Sequence, residues 1–371
     1  MIKFVDLKKQ YESIKSEIDN AISNVISDSA FIGGKYVNAF SDEFAAYLGV
    51  NHCISCGNGT DALEIALKTL GIGQGDEVIV PSHTWISTSE AITNAGAKPV
   101  FADTLSYYYT INPREIEIHI TERTKAIIPV HLFGLPADMD SIMLLAKKFN
   151  LFVIEDCAQA HGAKIDGKYV GKFGDMATYS FYPSKNIGAY GDAGCIVTND
   201  ESLAEKALRI ANHGQLVKHE HGLEGRNSRL DGLQAAILSV KLKYLDKWNS
   251  RRIAIANLYN EKLKNIQQVR TPATIEGFTH VFYVYCIKAL DRENLMEYLK
   301  SKGIETAIHY PKMLPLLDVY KYLEQPANEF KMSVEYQPYI ISLPMYPELT
   351  EQEIYFICDS IYEFYSMQVA G

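Results

Sequence analysis

Residues 151–199, LFVIEDCAQAHGAKIDGKYVGKFGDMATYSFYPSKNIGAYGDAGCIVTN, decide the fold. The first four are apolar and predict a buried strand, and Glu155 and Asp156 follow it directly. A second β-rich run, 176–182, leads into a loop that carries Lys185. In open α/β sheets, side chains that leave the carboxyl ends of neighbouring strands converge over one crevice. The stretch therefore predicts an acid and an amine at one sheet edge, although a lysine after a strand is, on its own, usually a solvated loop residue.

The composition is that of a globular protein with a sizeable core. The chain has 371 residues, which suggests roughly two domains, and 47% of them are hydrophobic. A formal net charge of −9 argues against a nucleic-acid partner, although a local cluster could still hold an anionic substrate. The sequence contains no apolar run of about 18 residues and no apolar core of a signal peptide. We therefore expect a cytoplasmic protein without a membrane span.

The cysteines and histidines do not form a convincing metal site. Six cysteines are compatible with a reducing compartment. Cys53 and Cys56 form an isolated C-x-x-C, and without a second pair core packing is a better interpretation than zinc or redox chemistry. The histidines His213, His219 and His221 surround a polar loop, but no cysteine or carboxylate pattern joins them. We expect no metal.

Strand and helix patterns alternate through the first half of the chain. Strands are predicted at 52–56, 78–81, 99–103, 126–130 and 151–154, and helices at 7–27, 61–70, 87–95 and 140–149. This alternation favours a mostly parallel sheet that is covered by helices on both faces.

The second half changes character twice. Two helices are predicted first, at 201–212 and 230–263, and are followed by strands at 281–287, 305–310 and 341–343 and helices at 291–302 and 350–365. The later elements are typical of a small α+β domain. We place the large domain at 1–250 and the small domain at 251–371.

Three further features near the first strands bear on ligand binding. The turn Gly57-Asn58-Gly59-Thr60 opens a helix, whose unpaired N–H groups can bind a phosphate, although by itself it could be a plain turn. The glycines at 71–75 follow a helix and precede a strand, the reverse of a dinucleotide-binding loop, which excludes NAD binding there. Trp85 could be core or a flat surface for an aromatic ligand.

In their order along the chain, these features resemble the fold type I pyridoxal-phosphate enzymes, in particular the DegT/StrS-type nucleotide-sugar aminotransferases. The resemblance rests on three motifs, EDCAQA at 155–160, SFYPSK at 180–185 and NSRLD at 227–231. It implies a large α/β domain that binds pyridoxal phosphate, with a mostly parallel seven-stranded sheet between helices. It also implies a smaller C-terminal α+β domain.

The resemblance implies a role for each matching residue. Asp156 resembles the carboxylate that keeps the pyridine nitrogen of the cofactor protonated, which makes the ring an electron sink. Lys185 resembles the lysine that forms the Schiff base and shuttles a proton. The other implied cofactor contacts are Gly59, Thr60 and Ser180 at the phosphate, Trp85 on the ring, Gln159 near the phenolic oxygen, and Asn227 from the other subunit of a homodimer.

The implied reaction is amino transfer, because a related dehydratase group carries histidine where this chain keeps Lys185. L-glutamate is the expected donor, and a dTDP- or UDP-linked 3-keto-6-deoxyhexose the acceptor, for surface polysaccharide or glycoconjugate synthesis. The turn at 57–63 is closer to the group that acts at carbon 3, and reaction at carbon 4 is the alternative.

The resemblance also implies that Arg229, His309 and Tyr310 contact the sugar or nucleotide. From the residues alone, 309–311 could equally be the end of a strand. A third hypothesis is a regulatory protein that keeps the fold without turnover, but such a protein has no need of both Asp156 and Lys185.

Overall fold

The computed structural model describes residues 1–369 and contains three β-sheets. The strands are β1 (His52–Cys56), β2 (Glu77–Pro81), β3 (Lys98–Ala102), β4 (Thr124–Ile127), β5 (Phe152–Asp156), β6 (Lys164–Ile165), β7 (Lys168–Tyr169), β8 (Met176–Ser180), β9 (Gly194–Thr198), β10 (Val269–Arg270), β11 (Phe278–Thr279), β12 (Tyr285–Ala289) and β13 (Ile340–Leu343). The helices are α1 (Leu7–Ser13), α2 (Lys15–Ser27), α3 (Lys35–Leu48), α4 (Gly59–Thr69), α5 (Ser87–Asn94), α6 (Pro113–Ile118), α7 (Met139–Phe149), α8 (Glu201–Ala211), α9 (Gly232–Leu242), α10 (Leu245–Leu263), α11 (Arg292–Ser301), α12 (Lys331–Tyr336) and α13 (Glu351–Val369).

The largest sheet confirms the predicted mostly parallel, seven-stranded architecture. Its strand order is β1-β9-β8-β5-β4-β2-β3, and β9 alone runs antiparallel to its neighbours. Successive side chains along its strands pack into different hydrophobic cores on the two faces of the sheet, as those of Ile196 and Val197 on β9 do. The face of Ile196 is covered by α4, α5 and α8, and the face of Val197 by α3 and α9. A sheet that is buried on both faces explains the near-continuous apolar character of its strands.

The C-terminal part contains a second sheet with a separate core. Strands β10, β12 and β13 pair antiparallel and pack against α10, α11 and α13. This arrangement agrees with the small α+β unit expected there. The domain limits at residues 250 and 251 stay a prediction, and helix α10 runs through them. Among residues 1–369, none of the helices has the length and apolar character needed to cross a lipid bilayer.

Two predicted helices are each divided in two. The predicted helix at 7–27 is interrupted at Ile14, and the one at 230–263 is interrupted between α9 and α10 at Lys243 and Tyr244. Ile14 still packs in the same core as Ile18, so the apolar spacing continues across the interruption. Hydrophobic periodicity therefore could not locate these breaks.

Two strand predictions are also wrong in part. Residues 281–284 are not in a strand, because Phe282 has a positive φ of 44° and its N–H donates to His280 Nδ1. At 305–310 there is only an isolated bridge between Ala307 and Ser342. Within β5, Glu155 and Asp156 are the last two strand residues and do not follow its end.

Candidate active site

The carboxyl ends of β5 and β8 open onto a cavity of about 700 Å³. Nine of the eleven predicted site residues line it, namely Gly59, Thr60, Trp85, Asp156, Gln159, Ser180, Lys185, His309 and Tyr310. Asn227 and Arg229 do not line it and are exposed on this chain. The sheet therefore brings the predicted acid and amine to one site, as the strand-end rule for α/β sheets requires.

Asp156 lies at the end of β5 with its carboxylate held by two donors. The Ala158 N–H donates to Oδ1 at 3.1 Å, and the Thr88 hydroxyl donates to Oδ2 at 2.9 Å. Burial raises the pKa of Asp156, while the Ala158 and Thr88 hydrogen bonds and the charge of Lys185 act against that rise. A cation brought to the free side of this carboxylate would favour its ionised form.

Lys185 lies in the loop after β8, where its N–H donates to the Tyr182 carbonyl and closes a turn. Its Nζ lies over the Tyr283 ring, 4.5 Å from the ring centroid. The Ser184 and Tyr283 hydroxyls are 3.3 Å apart. The amine thus faces both the cavity and an electron-rich aromatic surface.

The predicted phosphate turn has the local geometry of an anion site. Helix α4 begins at Gly59, and Asn58 caps it by accepting from the Asp61 N–H at 2.8 Å. A Cβ on Gly59 would lie 2.7 Å from Ser180 Cβ, so only glycine allows this approach to the end of β8. Unpaired N–H groups at the first turn of an eleven-residue helix, beside the Ser180 hydroxyl, fit a phosphate group.

The loop that precedes α9 is anchored to this same turn. The Ser228 hydroxyl donates to Asp61 Oδ2 at 2.6 Å, and Arg226 forms an ion pair with Asp61 Oδ1 at 2.6 Å. Asn227 lies between these two anchors and is itself exposed. Its predicted contact with the cofactor of a second subunit stays a prediction.

An aromatic group closes the other side of the cavity. The Gln159 amide accepts from the Phe133 N–H at 2.7 Å and donates to the Tyr310 hydroxyl at 3.0 Å. The Tyr310 ring lies 5.5 Å from Trp85, centroid to centroid. Trp85 is 56% exposed, so it belongs to the cavity surface, whereas Trp248 is the core tryptophan.

His309 and the Tyr310 backbone are held by side chains from both parts of the chain. His309 Nδ1 lies 2.9 Å from the Ser342 hydroxyl, and its ring stacks on Phe4. Burial, with a contribution from the Lys185 charge, lowers the pKa of His309 to about 4. The Tyr310 N–H donates to His83 Nε2 at 2.9 Å. His309 and Tyr310, which could equally have ended a strand, therefore form part of the cavity wall and are held there by hydrogen bonds.

Several residues of the site carry no signal in the sequence. The side chains concerned are Thr88, Tyr283, His83 and Arg226, whereas Ser184 and Ser228 lie within the SFYPSK and NSRLD motifs but had no predicted role. Each has an ordinary residue type for its element, and its contact partner is distant in the chain. The aromatic run at 281–285 predicts a strand, so the place of Tyr283 in the cavity could not be predicted from the sequence.

Glu155 has a structural role, unlike its neighbour. It is buried and accepts from the N–H groups of Gly171, Phe173 and Gly174 at 2.7–2.8 Å. His131 Nδ1 accepts from a backbone N–H, so its Nε2 donates to Glu155 at 3.1 Å. Although His131, Glu155 and Cys157 cluster closely, the Glu155 oxygens are already engaged and do not offer a metal a free ligand.

Glu155→Gln is expected to destabilise the protein by about 3–5 kcal/mol at neutral pH, because its amide N–H₂ would face backbone donors in a buried site. Despite burial, which raises it, the pKa of Glu155 is held below its ordinary value of 4.5 by His131 and backbone N–H groups. Its contribution is therefore complete above pH 4.5 and is lost as the pH falls through the lowered pKa.

Thermal unfolding between about pH 3 and 8 measures this effect. The exposed variant Glu122→Gln is the control and should behave as the parent. Equal unfolding temperatures for Glu155→Gln and the parent at neutral pH would contradict the structural role.

Comparison with known proteins places the chain in a family. The model of the DegT/DnrJ/EryC1/StrS aminotransferase family matches residues 12–362. A protein of Geobacillus stearothermophilus named pleiotropic regulatory protein is 46% identical over 366 residues, covering 98% of both chains.

Two relatives are named for their reactions. The UDP-N-acetyl-3-dehydro-alpha-D-glucosamine 3-aminotransferase of Acidithiobacillus ferrooxidans is 43% identical, with 95% of each chain covered. The dTDP-3-amino-3,6-dideoxy-alpha-D-galactopyranose transaminase of Aneurinibacillus thermoaerophilus is also 43% identical, with 97% of this chain and 99% of the relative covered.

The fold is similarly close to a solved structure. The crystal structure of DesV from S. venezuelae, in complex with a ketimine intermediate, superposes with a TM-score of 0.96 at 39% identity, covering 98% of each chain. The family match, the relatives and the fold together show that this chain belongs to the DegT/DnrJ/EryC1/StrS family of pyridoxal-phosphate-dependent sugar aminotransferases.

Proposed function

We propose that the protein transfers an amino group from L-glutamate to a nucleotide-linked 3-keto-6-deoxyhexose and so makes a 3-amino-3-deoxy sugar nucleotide. The observation that carries this proposal is the cavity in which the Asp156 carboxylate and the Lys185 amine lie together beside the anion site at Gly59. An acid, an amine and a phosphate site match the nitrogen, aldehyde and phosphate of one pyridoxal phosphate molecule.

The residues of the cavity fit this cofactor. Thr60, Ser180 and the N–H groups of α4 would hold its phosphate, and Trp85 would cover one face of its ring. Gln159 would lie near its phenolic oxygen, beside the Tyr310 hydroxyl. Bound there, pyridoxal phosphate supplies a ring that withdraws electrons from the substrate carbon next to nitrogen.

The acid and the amine would then divide the proton chemistry. Asp156, oriented by Thr88 and Ala158, would hold a proton at the pyridine nitrogen. Lys185 would hold the cofactor before substrate binds and, once free, move a proton between substrate and cofactor carbons. Because the Tyr283 ring lies against Nζ, the amine has a defined position on one side of the cavity.

The position on the sugar is supported by the relatives. Two relatives of similar identity are named for amino transfer at carbon 3, one on a UDP-sugar and one on a dTDP-sugar. We infer the same carbon here and leave the nucleotide as dTDP or UDP. His309, Tyr310 and, across the interface, Arg229 would contact the sugar or nucleotide.

A binding-only role has one observation in its favour, the regulatory name of the G. stearothermophilus relative. The joint presence of Asp156 and Lys185 in the cavity favours catalysis, since a regulatory protein needs neither. We further propose a cytoplasmic homodimer in which Asn227 reaches the phosphate of the partner's cofactor. Surface polysaccharide or glycoconjugate synthesis would use its product.

The test is spectroscopic and kinetic. Purified protein incubated with pyridoxal phosphate is expected to show a visible absorbance band that disappears when L-glutamate is added. The 3-keto and 4-keto isomers of dTDP- and UDP-linked 6-deoxyhexoses are then supplied side by side, with product formation followed by mass spectrometry. Strong turnover of the 4-keto isomers alone would move the reaction to carbon 4, and absence of any band would contradict the proposed activity.

A further inference from the structure

Two buried asparagines connect the Lys185 loop to the rest of the molecule. Asn186 directly follows Lys185 and is 1% exposed, and Asn249 on α10 is 5% exposed. Asn186 Nδ2 donates to Asn249 Oδ1 at 2.8 Å and to the Val281 carbonyl at 3.1 Å. Asn249 Nδ2 donates to the His161 carbonyl at 2.8 Å. The pair therefore joins four segments that are distant in sequence.

The orientation of each amide is set by its partners. A backbone carbonyl only accepts, so the Val281 and His161 carbonyls each require an N–H₂ group facing them. Asn249 must then present its oxygen to Asn186, which uses both of its amide hydrogens. Reversing this arrangement would turn amide oxygens toward the Val281 and His161 carbonyls, whereas in the present arrangement Asn186 Oδ1 is the one atom of the two amides without a partner.

A glycine in the neighbouring backbone leaves space for the asparagine pair. Gly162 has a positive φ of 85°, and a Cβ at this position would lie 2.6 Å from Asn249 Nδ2. The absence of a side chain at Gly162 is thus what lets α10 place its amide against the His161 carbonyl. A close approach of this kind is a built feature of the fold.

The same pair reaches the aromatic ring that faces the amine. Val281, which accepts from Asn186, lies two residues before Tyr283. Lys185, which lies over the Tyr283 ring at 4.5 Å, directly precedes Asn186. One hydrogen-bonded unit thus adjoins both the residue that carries the amine and the segment that carries the ring.

We propose that Asn186 and Asn249 are positioning residues that hold the Lys185 nitrogen in contact with the Tyr283 ring. This inference rests on the proposed function, because its measurable consequence is at the Lys185 nitrogen that would bind the cofactor. An aromatic face attracts a cation, so the Tyr283 ring would stabilise a positive charge held at this position. Loss of either amide frees the loop and the ring to move apart.

Other groups that face Lys185 are the same in parent and variants. The ionisable ones that line the cavity are Asp61, Asp156, Tyr182, Asp192, His309 and Tyr310, and the Lys185 charge also acts on His161. Burial lowers the pKa of His161 to about 3 and that of His309 to about 4, so neither titrates near neutral pH. Because Asn249 also holds the His161 carbonyl, a changed midpoint in the asparagine variants reports the ring contact where it matches the change in Tyr283→Leu.

The experiment titrates the visible band of the cofactor-loaded enzyme against pH. Asn249→Ala and Asn186→Ala are each expected to lower its midpoint by about 0.4 to 1.5 pH units, the range of a lost cation–π contact. Tyr283→Leu should give the same shift, and Asn249→Ala combined with Tyr283→Leu should shift no further. Steady-state kcat is expected to fall about tenfold while the KM for L-glutamate stays within about twofold.

Two further variants protect the interpretation. Ser250→Ala, at the next residue on α10, removes an exposed hydroxyl that donates to the Asp246 carbonyl and should leave the midpoint unchanged. Gly162→Ala alters neither amide, but its Cβ would lie 2.6 Å from Asn249 Nδ2 and 2.8 Å from the Tyr47 hydroxyl, so it should displace Asn249 and lower the midpoint as Asn249→Ala does. If Asn249→Ala does not fold, Asn186→Ala carries the same comparison without altering α10.

A parent-like midpoint in a folded asparagine variant, or in Tyr283→Leu, overturns the proposal. So does a further shift when Asn249→Ala is added to Tyr283→Leu, since the two would then act independently. A parent enzyme that develops no band at all would instead contradict the proposed function, and the two failures are thereby distinguished.

Discussion

Lys185→Ala is expected to lower kcat for amino transfer by at least about 10²–10⁴-fold, the usual contribution of a positioned proton-transfer group. The expectation follows from the position of Lys185, which lines the cavity together with Asp156 and whose Nζ lies over the Tyr283 ring. No other lysine lines the cavity within residues 1–369, so no nearby amine can replace it. Product formation measured by mass spectrometry is the direct readout.

The control for this variant is Lys206→Ala, an exposed lysine on α8. It removes an amine of the same kind outside the cavity and should leave kcat unchanged. A parent-like rate in Lys185→Ala would show that the Schiff-base lysine is assigned wrongly, even if the family assignment is correct.

The same variant also tests whether the site is shared between subunits. Asn227→Ala should be impaired alone, and mixing it with Lys185→Ala under conditions of subunit exchange should restore activity. Random pairing gives roughly a quarter of intact sites if each site takes Lys185 from one chain and Asn227 from its partner. No recovery, with exchange verified by mass, would place Asn227 outside the partner's site.

Asp156→Asn is expected to lower kcat by about 10²- to 10³-fold while the protein stays folded. The asparagine amide has the same shape as the carboxylate, and its oxygen would still accept from one of the two donors, Thr88 or Ala158. The negative charge, however, is lost. Breaking a buried charge pair typically costs about 3–5 kcal/mol. The share of this energy that stabilises only the transition state lowers kcat when it is lost.

The comparison for Asp156→Asn is Asp140→Asn, an exposed carboxylate in the first turn of α7. Single-turnover rates with L-glutamate, followed at the visible band, separate chemistry from product release. Rates in Asp156→Asn equal to those in Asp140→Asn would mean that the carboxylate does not act on the cofactor nitrogen.

Much of this site follows from the sequence because its main residues are local to strand ends. Asp156 and Lys185 could be located from two apolar runs and the rule that ligands bind at the carboxyl ends of strands. The turn at Gly59 could be located from a glycine pair before a helix. The cofactor site could be predicted from these residues only with their order along the chain and their resemblance to a known family.

The residues that orient this machinery could not be predicted in the same way. Thr88 on α5 donates to Asp156 at the end of β5, a tertiary contact without a local pattern in the sequence. Glu155 was grouped with Asp156 as a strand-end acid, yet alternation along a strand sends the two side chains to opposite faces. One of them opens to the cavity, and the other accepts three buried N–H groups.

The single antiparallel strand of the main sheet has a consequence for how such an enzyme can diversify. Since β9 returns beside β8, the connection that carries Lys185 is anchored to one sheet at both ends, and Phe181 and Ala193 are hydrogen-bonded across it at 2.8 Å. Insertions there would displace the amine. The segment around 309–310 lies outside the main sheet, so chimeras that exchange it are the natural route to new acceptor sugars with the amino-transfer chemistry retained.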